Sequence, residues 1–147
     1  MDIYRLNILG AFVAIFILLT SSLIFIFRLT NQQAAGYWTG TAFMLTAIPI
    51  VYLIYLSTNF ERPTLYYVQL GLMIGFIITE LLVDYIFKVE FRNTKWMVIS
   101  YVTFFFASTG GMIGVASQAG KFWSISTVIL FLIMTALAFI QRAKTGL

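Results

Sequence analysis

Five apolar runs, each about 20 residues long, fill this chain almost end to end, and that is the length an α-helix needs to cross a hydrocarbon layer about 30 Å thick. They fall at about 8–28, 37–57, 65–87, 96–116 and 122–140. The linkers, at about 28–36, 58–64, 88–95 and 117–121, are polar and too short for anything but turns between antiparallel neighbours. The spacing predicts an all-α integral membrane protein, an up-and-down bundle of five transmembrane helices forming one domain over 1–147. Of the 147 residues 61% are hydrophobic and 10% charged, far from the roughly 25% charged of soluble domains, so no polar scaffold is left to bury these runs in water. The first run is longer than a signal-peptide core and no A-x-A cleavage site follows it, so it is read as a retained helix.

Tyr4, Tyr37, Trp38, Tyr66, Tyr67, Trp96 and Trp123 fall near predicted helix ends, where amphipathic rings suit the headgroup zone. Five spans put Arg5, Arg62 and Lys121 on one face and Arg28, Lys88, Arg92, Lys95, Arg142 and Lys144 on the other. That split of three against six predicts an N-terminus outside and a C-terminus in the cytoplasm, for a multi-pass protein of the plasma (inner) membrane. The formal charge of +4 therefore belongs at the lipid headgroups, and nucleic acid is not an expected partner. The segment 88–95 is expected to lie along the inner surface against anionic lipid.

With no Cys and no His, the chain has no disulfides, thiolate nucleophiles or imidazole bases and lacks the usual zinc ligands. No metal site, cofactor or catalytic residue is expected. What remains chemically is one acidic pair in the third run. Glu80, Asp84 and Lys88 are spaced by four and share a helical face, with Phe76 and Leu72 continuing the line. At 1.5 Å per residue Glu80 lies about 10 Å, and Asp84 about 5 Å, inside the cytoplasmic end of the span. An ionisable group at such depth faces the bundle interior and takes a partner.

Antiparallel packing sets Ser21 and Ser22 of the first run, Thr41 of the second, Ser100 and Thr103 of the fourth and Thr135 of the fifth at the level of this pair. The expectation is a polar chamber in the inner half that binds a proton, a small cation or a protonated amine, in a transporter or ligand-binding protein. A structural network of the same residues is the plainer alternative, since Ser and Thr also bond their own helix backbone. Two other roles are open: a non-catalytic subunit or assembly factor of a larger membrane complex, and an intramembrane enzyme using the carboxylates on lipid.

In the outer half, Gly71-x-x-x-Gly75 faces Gly110, Gly111 and Gly114, a spacing that lets helices approach closely. Packing of the third and fourth helices is the first reading and a homodimer contact the second. Pro49 removes a backbone donor in the second run and should free the Leu45 carbonyl, kinking the helix. The fifteen Phe residues, Phe104-Phe-Phe106 included, are expected to face lipid.

Overall fold

The computed structural model describes residues 2–86 and 94–145, apart from the side chains of Asp84, Tyr85 and Thr145. Among the described residues every regular element is helical: α1 (Ile3–Leu29), α2 (Gln33–Leu45), α3 (Ala47–Ser57), α4 (Thr64–Glu80), a continuation in π-type turns (Leu81–Ile86), α5 (Lys95–Ser117) and α6 (Lys121–Thr145). With α2 and α3 taken as one span, five helices are long and apolar enough to cross a membrane, which marks a multi-pass membrane protein. Most of the basic segment expected at 88–95, with Lys88 of the acidic stripe, lies outside the described residues.

Local chemistry sets the ends. α1 begins earlier than hydropathy predicts because Asp2 caps it, its carboxylate accepting the Arg5 N–H at 2.8 Å. It stops where Asn31 takes a left-handed φ of 58° and the Gln32 N–H donates back to the Phe27 carbonyl at 2.9 Å. The kink expected from Pro49 is realised as a break one turn earlier, at Thr46, whose N–H and hydroxyl both donate to the Phe43 carbonyl.

α1 is the centre of the bundle, packing on α2, α3, α5 and α6, while α4 lies between α3 and α5, so successive spans are neighbours. Half of the most apolar stretch of α1 is buried, against 11% of that of α6. Small residues draw the helices together at the end carrying Asn7 and Arg62. Ala11 and Ala14 are fully buried there, and a Cβ on Gly10 would stand 3.1 Å from Val115.

The glycines of α4 and α5 meet across a side chain rather than against each other. Gln69 lies over Gly111, where a Cβ would touch it at 3.5 Å, and over Gly114, where a Cβ would overlap its amide. Gly75 faces Phe104 at 3.2 Å and Gly110 faces Phe131 of α6 at 3.9 Å, while Gly71 looks onto open space. The same end is tied by Arg62, which donates to Asn7 and lies 4.5 Å over the Tyr66 ring. Tyr66 is thereby a core residue rather than a headgroup ring.

The glycine geometry yields a stability test. Gly114→Ala is expected to destabilise the folded chain by about 1 kcal/mol through overpacking on Gln69, and Gln69→Ala in the same chain should relieve most of that cost. Gly71→Ala should change stability by less than about 0.5 kcal/mol. Thermal unfolding of the four variants in detergent reads the coupling, and additive effects of Gly114→Ala and Gln69→Ala would contradict this packing.

Candidate binding cavity

Where small residues close one end of the bundle, phenylalanines hold the other end apart. Phe76 of α4 is 1% exposed and contacts Tyr101, Phe104 and Phe105 of α5 and Phe43 of α2, with ring centroids 5.3 to 6.2 Å apart. Phe105 meets Phe25 of α1 at 5.9 Å, and Phe106 stacks on Phe139 of α6 at 6.4 Å. Rings of this size keep five backbones from closing, and they border a cavity of about 1110 Å³. The expectation that phenylalanines face lipid fails for Phe43 and Phe76, which are buried, and for Phe25, Phe105 and Phe106, which line this cavity together with them.

The acid stands on the wall of this cavity. Glu80 is the last residue of α4, one turn after Phe76, where the helix widens into π-type turns, a feature often found at functional sites. Its carboxylate oxygen Oε2 accepts a hydrogen bond from the Tyr101 hydroxyl across the α4–α5 interface. The side chain of Asp84 lies outside the described residues, so the expected pair is seen through Glu80 alone.

Of the hydroxyls expected around the acid, the cavity gathers Ser21 and Thr103. Ser21 is 3% exposed and its Oγ is buried without a hydrogen-bond partner, so the residue borders the cavity while its hydroxyl is sealed from it. Ser22, Thr41 and Thr135 instead donate to the carbonyls of Leu18, Tyr37 and Phe131 on their own helices, and Ser100 is exposed. None of these four borders the cavity. Their rotation about the helix axes, which depth does not encode, keeps them from the cavity.

Sequence reasoning missed the polar mouth. Arg28 of α1 and Arg142 of α6 line the cavity with the α1–α2 turn (Asn31, Gln32, Gln33) and with Gln141, which is only 2% exposed. Arg28 has its guanidinium 5.9 Å from the Phe25 ring centroid. Both arginines had been assigned to the headgroups by the rule that places basic residues at helix ends. Each stands seven residues, about two turns, beyond one of the hydroxyls that the sequence sets at the level of Glu80. On the α5 and α6 side Ile99, Val102 and Phe139 border the cavity and are exposed.

No protein-family model, curated protein or solved structure matches the chain.

The cavity makes a stability prediction. Tyr101→Phe is expected to cost about 1–2 kcal/mol by taking a donor from Glu80, whereas Ser21→Ala should be neutral or stabilising by up to about 1 kcal/mol, because its hydroxyl has no partner to lose. Unfolding midpoints in detergent check both, and a clear loss of stability in Ser21→Ala would contradict the orphaned hydroxyl.

Proposed function

We propose that this chain is a small membrane ligand-binding or transport protein that holds a protonated amine at Glu80. The observation behind the reading is a carboxyl group on the wall of a cavity of about 1110 Å³, beside the rings of Phe76, Tyr101 and Phe105. Aromatic faces attract ammonium groups, and a carboxylate among them supplies the counter-charge. A bare metal cation asks for six or more oxygen ligands, which a ring-lined wall does not offer, so the amine is favoured over the metal.

The spans are taken to cross the plasma (inner) membrane with the C-terminus inside, so that the Arg28 and Arg142 mouth opens to the cytoplasm. The distribution of Lys and Arg supports that orientation. The subunit and lipid-enzyme roles have no comparable observation behind them.

Dodecylamine and dodecanol separate the charge from the chain. Glu80→Gln is expected to weaken dodecylamine binding to the purified protein about 10- to 100-fold, the range of a charge-assisted hydrogen bond, and to leave dodecanol binding unchanged. Competition binding in mild detergent measures both. Undiminished dodecylamine affinity in a folded Glu80→Gln protein would end the reading.

A further inference from the structure

The cavity is lined by charges of both signs that do not pair with each other. Among the described residues its charged side chains are Glu80, Arg28 and Arg142. The Tyr101 hydroxyl donates to Glu80, whereas among the described residues neither guanidinium has a hydrogen bond or an ion pair. Arg28 has the Phe25 ring beside it at 5.9 Å, and Arg142, in the last turn of α6, is exposed. Each guanidinium carries five N–H donors in a fixed fork and stays charged. Asn31, Gln32 and Gln33 bring amide donors to the same lining.

The fold sets the two signs on different walls. Arg28 and Arg142 stand on α1 and α6, which pack on each other, while Glu80 stands on α4, between α3 and α5. A plain ammonium at Glu80 shares the space with two cations, and a plain anion at the arginines shares it with the carboxylate. Either is opposed by a like charge. A molecule carrying both poles meets an opposite charge at each. The rings of Phe25, Phe43, Phe76 and Phe105 line the same space, which suits apolar carbon joining the poles. A volume of about 1110 Å³ is ample for such a molecule.

We propose that the cavity binds an organic zwitterion. Glu80 holds its ammonium, Arg28 and Arg142 hold its oxyanion, and apolar carbon between the two lies against the rings. Carboxylate and phosphate both match the forked donors of guanidinium. This rests on the assignment of Glu80 as the amine-binding group and adds to it the second pole.

The test is competition binding to the full chain in non-ionic detergent. The probes are ω-aminohexanoic, ω-aminooctanoic and ω-aminododecanoic acids, each set against the amine and the carboxylic acid of the same length. At least one of these amino acids is expected to bind about tenfold more tightly than both its amine and its acid, the increment of one charge-assisted hydrogen bond. ω-Aminooctyl phosphate beside ω-aminooctanoic acid separates the two oxyanions. Arg28→Gln and Arg142→Gln should each weaken the amino acid about tenfold and leave the plain amine unchanged or tighter, because a repelling charge is gone. A merely structural role of either arginine would instead weaken both probes and overturn its part in the site. Glu80→Gln should weaken the amino acid and the amine and spare the acid. The comparison of probes on the wild type needs no substitution, so it stands if a variant fails to fold. The proposal is overturned if no amino acid or aminoalkyl phosphate outbinds its matched amine and acid, or if that advantage survives both arginine substitutions. If the amine still requires Glu80 while no probe gains from its anion, the zwitterion falls alone; if Glu80→Gln changes neither amine nor amino acid, the amine site falls with it.

Discussion

The arrangement depends on how closely α1 can be approached, and that changes along its length. At the Asn7 end its contacts are Gly10, Ala11 and Ala14, and backbones close to the distance small residues permit. At the other end the level is occupied by Phe25 of α1, Phe43 of α2, Phe76 of α4 and Phe105 of α5, whose rings meet edge to face or tilted at 5.3 to 6.2 Å. Five helices with short connections cannot be tight at both ends with such different spacers. The cavity follows from that gradient of side-chain size, and its position beside Glu80 follows from Phe76 lying one turn before it.

Backbone irregularity collects in two places, the second span and the end of α4. The second span breaks at Thr46, where the Phe43 carbonyl takes both donors of one residue, and the fourth element loses α-helical winding directly after Glu80. In an apolar surrounding an unpaired peptide group costs several kcal/mol, so non-helical backbone is tolerated only where protein or water covers it. Thr46 is buried and covers its own break with its hydroxyl.

Much of the fold was legible because hydropathy and length carry it: five apolar runs separated by short polar linkers leave little choice of helix number. The ends were less legible, since the early start of α1 depends on one cap at Asp2 and its stop on one left-handed residue, Asn31. Of the site, Glu80 was visible as a charge out of place, and Ser21 and Thr103 as hydroxyls at its level. What depth could not give was rotation, so Ser22, Thr41 and Thr135 were grouped with residues they do not face. Tyr101, the partner of Glu80, escaped notice because a tyrosine in an apolar run is unremarkable until the opposing carboxyl is located. Arg28 and Arg142 escaped because a basic residue at a helix end has a sufficient explanation in the headgroups, and nothing in a linear sequence shows two such residues sharing a mouth.

The energetics of the cavity wall differ between two of its polar groups, Glu80 and Ser21. A carboxylate inside a membrane span costs about 2.5–3.5 kcal/mol on insertion scales, and a hydrogen bond to a charged group returns about 1.5–3 kcal/mol, so the Tyr101 contact by itself offsets much of the cost of Glu80. An unsatisfied buried hydroxyl costs about 1–3 kcal/mol, and Ser21 carries that cost with nothing offsetting it inside the chain. An alanine at position 21 would hold the bundle at least as well. Ser21 thus departs from the agreement between local choice and global stability that holds elsewhere in the bundle.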